Sequence, residues 1–180
     1  MISRNIITDI LFIVILVVLQ IFLLNRIVLF GKYSPVVFPV YVMFHPFYRN
    51  KFQFLGMSFL LGLGIDMFLG TWGINAFATT FIAFIRTLLF RTSTESELDV
   101  FSFQSLQWHQ FLGFIFLNLL IHQFLAQSIE YFKFSRILDV LLNVLITTAI
   151  SFVFILFYVL MFKIKQKVWN LILKYSFLWL

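Results

Sequence analysis

Cysteine is absent from the 180 residues. That excludes a disulfide framework, a thiolate metal site and a cysteine nucleophile. Charge is scarce as well: Asp, Glu, Lys and Arg make up 11% of the chain, against about 25% in ordinary soluble domains. Proline occurs only three times, at Pro35, Pro39 and Pro46, so helices elsewhere run without that interruption. No H-E-x-x-H, G-x-S-x-G or phosphate-loop pattern is present. His45, His109 and His122 stand in separate segments with no ligand spacing. An intramembrane protease would need paired carboxylates or a Ser–His pair at one depth, and the spans supply neither. The chain is expected to be non-enzymatic and to need no cofactor or metal.

What fills the space is apolar. Hydrophobic residues reach 62%, with 27 phenylalanines. A soluble domain of this size could not bury so much apolar surface, so an integral membrane protein is expected. Six apolar runs divide the chain, at about 6–24, 35–48, 54–71, 74–90, 110–129 and 138–162. No small-residue cleavage site follows the first run, which reads as an uncleaved span. The second holds all three prolines and reads as a short or broken span. Only Trp72 and Gly73 separate the third from the fourth, which predicts a tight helical hairpin. These runs define a transmembrane domain over 1–167. Residues 168–180 form a tail whose Trp169, Tyr175 and Trp179 suit the membrane interface.

The polar stretch 91–108 reads as a solvated loop in which Thr92 and Glu95 fit a capping box. With six spans and the N-terminus inside, the inner side carries Arg4, Arg49, Lys51, Arg86, Arg91, Lys163, Lys165, Lys167 and Lys174. The outer side carries only Arg26, Lys32, Lys133 and Arg136. Cytoplasmic loops are enriched in Lys and Arg, so both termini are expected in the cytoplasm.

Polar residues within the spans fall four apart, on single helix faces. Ser58, Gly62, Asp66 and Gly70 form one stripe; Asn75, Thr79 and Ala83 form another, with Arg86 close by. Asn118, His122 and Ala126 form a third, and Asp139, Asn143, Thr147 and Ser151 a fourth; Asp9 and Gln20 share a face of the first span. Such stripes read first as packing seams and second as the lining of a polar cavity. Asp66 needs compensation, because a carboxylate deep in a span costs about 2.5–3.5 kcal/mol on insertion scales. Arg86 is one candidate partner, although some 10 Å away in depth at 1.5 Å per residue. Asn75 and the amides around Trp72 and Gly73 are others. Five of the seven glycines lie between 56 and 73, which marks this hairpin as the most tightly packed part of the fold.

The stretch 56–85, GMSFLLGLGIDMFLGTWGINAFATTFIAFI, resembles the signature of the rod shape-determining protein MreD family. That family carries a G-x-x-x-G-L-x-x-D-x-x-x-G-x-x-G-x-x-A type pattern. Here it maps onto Gly62, Leu63, Asp66, Gly70, Gly73 and Ala76. The resemblance implies a scaffold of the cell-elongation machinery in the bacterial inner membrane. It would contact the single-span protein MreC and, through it, the filament protein MreB, the glycan polymerase RodA and its transpeptidase partner. It also implies an all-α fold of about six transmembrane helices like the substrate-binding subunits of energy-coupling-factor vitamin transporters. Such a subunit is the alternative function. It would dock on its transport module through small residues of the first helix, typically Ala-x-x-x-Ala, yet residues 6–30 contain no Ala and no Gly. On either reading Gly62, Asp66, Gly70, Gly73, Asn75 and Arg86 are the structural or partner-binding candidates, and no nucleic-acid partner is expected.

Overall fold

The computed structural model describes residues 2–45, 50–91, 107–131 and 137–176. Among these the chain is helical throughout and no strand forms. The helices are α1 (Ile2–Val18), α2 (Val40–Phe44), α3 (Lys51–Leu69), α4 (Ile74–Arg91), α5 (Trp108–Glu130) and α6 (Ile137–Ser176). The protein is an all-α membrane protein: four helical stretches, Ile6–Arg26, Lys51–Leu69, His109–Glu130 and Ile137–Leu160, are long and apolar enough to cross a bilayer. The stretch Ile74–Leu89 of α4 is apolar but shorter. The outer surface is as apolar as the interior, with Leu11, Phe22, Phe68, Val153 and Phe157 all exposed. Polar side chains turn inward instead, Asp9, Gln20, Ser58, Asp66, Thr79, Arg86, His122 and Ser151 among them. That distribution suits a lipid solvent, in which unpaired polar groups are costly.

The second apolar run is not a transmembrane helix. It forms an extended stretch followed by the five residues of α2, about 8 Å of helix at 1.5 Å per residue. Pro35 and Pro39 lack the amide hydrogens that a continuous helix would need, and Pro39 sits where α2 begins. The run nevertheless passes through the middle of the bundle, and Val37, Phe38, Val40, Tyr41, Val42 and Met43 are all buried.

Its direction follows from contacts. Val17 lies against Gly64 and Phe22 against Phe68, while Gln53 donates a hydrogen bond to Asp9 at 3.5 Å, so α1 and α3 run parallel. The chain between them must return from one end of the bundle to the other. Gln20 meets Pro35 and Phe12 meets Tyr41, which sets residues 35–41 antiparallel to α1. Two apolar clusters flank this return. One joins α1, α3 and α4 around Tyr41, Leu61, Ile65 and Ile82; the other joins Val40 and Met43 to Ile115, Leu119 and Ile155 of α5 and α6.

Helix α6 continues without a break to Ser176, so the predicted tail begins as the last turns of that helix. The side chains of those turns, and the capping box expected at Thr92 and Glu95, lie outside the described residues. A capping box does occur at the start of α5. There Gln107 accepts from a backbone amide, and its own amide donates to Gln110 at 3.3 Å.

Candidate functional site

The hairpin of α3 and α4 is organised by one carboxylate. Asp66 lies one turn before the end of α3 and is 3% exposed. Its main-chain oxygen accepts from the amides of Gly70 at 2.8 Å and Thr71 at 3.2 Å, which closes the helix. Gly70 terminates α3 with a φ of +69°, in the left-handed region that favours glycine. The Asp66 side chain then reaches forward to the start of α4. Its Oδ1 accepts from the Asn75 amide at 3.0 Å, from Asn75 Nδ2 at 2.9 Å and from the Thr71 hydroxyl. Its Oδ2 accepts from the Ala76 amide at 2.8 Å. A carboxylate from one helix thus caps the next, where free amides and the helix dipole favour negative charge.

Gly62 makes that reach possible. A Cβ there would lie 2.5 Å from the Ala76 Cα and 2.5 Å from the Asn75 carbonyl oxygen, both backbone atoms. The start of α4 therefore rests directly on the backbone of α3. Gly73, with a φ of +90°, completes the turn. The structure brings Gly62, Asp66, Gly70, Gly73 and Asn75 together in one device. Arg86, the sixth candidate, lies at the other end of α4. The hydroxyl of Thr71 is the member that sequence reasoning missed. Its signal was available: a hydroxyl five residues after a buried carboxylate, directly behind a helix-ending glycine.

Arg86 pairs with the returning segment rather than with Asp66. It is 2% exposed, and its Nη1 donates to the Val42 carbonyl at 2.7 Å while Nη2 donates to the His45 carbonyl. Its guanidinium lies over the Phe54 ring at 5.0 Å, and the His45 ring stacks on the same phenylalanine. Arg86 thereby satisfies carbonyls at the C-terminal end of α2, where cations are favoured.

Gln20 holds the opposite end of this segment. It sits in a widened, π-type turn at Leu19–Leu23 that continues α1. Its Nε2 donates to the Pro35 carbonyl at 2.9 Å, and its Oε1 accepts from the Val37 amide at 2.9 Å. One side-chain amide thus serves the segment as a neighbouring strand would. Between those two contacts the Val36 amide donates to Ser151 Oγ on α6 at 2.8 Å. Lower on α6, Asn143 Oδ1 accepts from Lys32 Nζ and Tyr33 Oη, both at 3.0 Å.

The remaining stripes meet other helices at two points, Thr79 with His122 and Thr147 with Gln127. Thr79 donates to the Asn75 carbonyl at 2.6 Å, so it serves as acceptor toward His122 Nε2, 3.3 Å away. Gln127 meets Thr147 at 3.4 Å across α5 and α6, and Asn118 donates to the Phe114 carbonyl at 2.7 Å. Among the described residues, no group of three His, Asp or Glu side chains could hold a metal ion. Asp139 is exposed and takes no part in these contacts. No family model matches the chain, and neither do any of the curated proteins or solved structures.

Proposed function

We propose that the protein is a membrane scaffold of the MreD type, one that holds MreC beside it and acts on wall synthesis through that partner. The observation that carries this reading is the Asp66 device. Of the residues on which the family resemblance rests, Gly62, Asp66, Gly70, Gly73 and Ala76 take part in one hairpin device, and Leu63 lies beside Gly62 on α3. Asp66 is engaged by four donors and Arg86 by two carbonyls, so the intramembrane charges serve architecture. A scaffold needs such a rigid body and a surface that a partner helix can approach.

Six crossings with both termini in the cytoplasm form part of the proposal. The parallel run of α1 and α3, with the antiparallel return between them, supports that count. In this view residues 27–45 cross as irregular backbone lined by protein, the one setting in which a membrane tolerates it. A fold resembling that of the vitamin-binding subunits of energy-coupling-factor transporters belongs to the same proposal.

Two glycines suit a partner's approach. Gly56 on α3 and Gly113 on α5 are exposed, and a Cβ at either would meet nothing within 4 Å. Small residues on a lipid-facing helix let another helix come close. Gly56→Leu and Gly113→Leu should leave the fold intact and reduce co-purification of MreC. Gly62→Leu, whose side chain would strike backbone, should instead unfold the hairpin. Depletion in the native bacterium provides the broader test. Rods rounding into spheres support the scaffold; normal shape with a vitamin-uptake defect overturns it in favour of a transporter subunit.

A further inference from the structure

Among the described residues only two other than glycine adopt a left-handed backbone: Phe30, with a φ of +52°, and Trp72, with a φ of +46°. Both are large aromatics, for which that conformation is strained. Both are also almost fully exposed, Phe30 at 87% and Trp72 at 99%, so no packing within the chain offsets the strain. Each stands directly before a glycine of positive φ, Gly31 and Gly73. Both also lie at the tip of a turn whose two sides are fastened. Leu29 and Tyr33 exchange backbone hydrogen bonds around Phe30, and Asp66 grips Thr71 and Asn75 around Trp72. The fold thus forces two aromatic rings outward.

The two tips follow the same end of the bundle, because the parallel stretches that lead to them meet near their ends, Phe22 against Phe68. Their depth follows from the helices below them. The 19 residues of α3 span about 28 Å at 1.5 Å per residue, close to the roughly 30 Å of a hydrocarbon core. Trp72 lies three residues beyond the end of that helix, so with α3 as a span it would stand at the level of the lipid headgroups. Arg26 and Lys32, both exposed, flank Phe30 and mark the same level.

We propose that Phe30 and Trp72 insert into the headgroup region of the leaflet at this end and anchor the bundle there against tilt and vertical displacement. An aromatic ring held in water gains nothing from such strain, whereas rings of this kind are favoured at the membrane interface. The proposal rests on α3 as a span and not on the scaffold reading.

Trp72 reports on its own surroundings. With Trp108→Phe, Trp169→Phe and Trp179→Phe, it becomes the sole tryptophan of the full chain, reconstituted in phosphatidylethanolamine–phosphatidylglycerol vesicles. Its emission is expected to be blue-shifted. Lipids brominated near the headgroup end of the acyl chain should quench it more strongly than lipids brominated near the chain terminus. Phe30→Trp combined with Trp72→Phe on that background should behave alike. If the triple variant does not fold, Trp72→Phe alone is compared with the unaltered chain, and the bromolipid-quenchable part of the emission should fall. Emission like that of tryptophan in water, quenched by acrylamide and untouched by brominated lipid, overturns the proposal and points to a docking knob for another protein's aqueous domain. An unchanged quenchable fraction in Trp72→Phe overturns it as well.

Discussion

Both oxygens of Asp66 accept hydrogen bonds, and every donor belongs to the turn or to the first residues of α4. Alanine at this position leaves the half-buried Asn75 amide and the buried Ala76 amide without that acceptor. The expected loss is about 2–3 kcal/mol, the sum of a missing helix cap and unpaired donors. Asparagine keeps one acceptor oxygen for Thr71 and Asn75, but its amide then confronts the Ala76 N–H. Asp66→Asn should therefore lie between Asp66→Ala and the unaltered chain in thermal unfolding in detergent. Equal stability of all three would show that the cap contributes nothing. The sequence flagged Asp66 because a carboxylate interrupts an apolar run, and Asn75 stood among its candidate partners. Thr71 carried a local signal, five residues after Asp66, whereas the Ala76 amide became visible only once Gly62 had brought α4 down onto α3, a closeness set by backbone that no spacing rule expresses.

At the scale of elements, the unusual one is the return from Phe30 to His45. Its Pro35 and Pro39 announced a break in the helix pattern, and the break is there. Its path was not legible, because the groups that fix it come from distant positions. Gln20 lies 15 residues before Pro35, Arg86 lies 41 beyond His45, and Ser151 lies 115 beyond Val36. The sequence puts Gln20 on one face of the first span with Asp9, but that spacing does not show its amide reaching residues 35 and 37. Gln20→Ala leaves the Pro35 carbonyl and the Val37 amide unpaired in the interior, at a cost of about 2–4 kcal/mol. The measurable outcome is a lowered midpoint of thermal unfolding, together with new protease cleavage between residues 27 and 45. Cleavage resistance equal to that of the unaltered chain would mean that the segment is held by its apolar contacts alone.

Over the whole molecule, the direction of the backbone alternates from α1 to the return, to α3, α4, α5 and α6. Thr79 lies beside His122 and Phe44 beside Phe111, which sets α5 parallel to α3; Phe116 beside Phe152 and Gln127 beside Thr147 then set α6 antiparallel to α5. Residue 2 and residue 160 consequently share one end of the bundle. Reporter fusions to the N-terminus and to the end of α6 should both be active in the cytoplasm. A periplasmic C-terminus would exclude the six-crossing arrangement. The membrane class was legible from composition, since exposure to lipid puts apolar residues on the outside as well as the inside. The inward turn of most of the polar stripe residues was legible from their spacing of four, although Asp139, first of the fourth stripe, is exposed. The way those stripes are shared between helices was not, because the periodicity of one helix says nothing about its neighbour.

The Val36–Ser151 hydrogen bond has a consequence for biogenesis. A helix leaving the translocon carries its backbone hydrogen bonds with it and can enter lipid alone. The segment 34–39 cannot, because the acceptor for the Val36 amide belongs to α6 and is synthesised 115 residues later. Until then the segment must stay hydrated or shielded by the insertion machinery. It can take its final place only when α6 arrives. A chain stalled before Ser151 would hold residues 35–37 through Gln20 alone, with the Val36 amide still without its partner on α6.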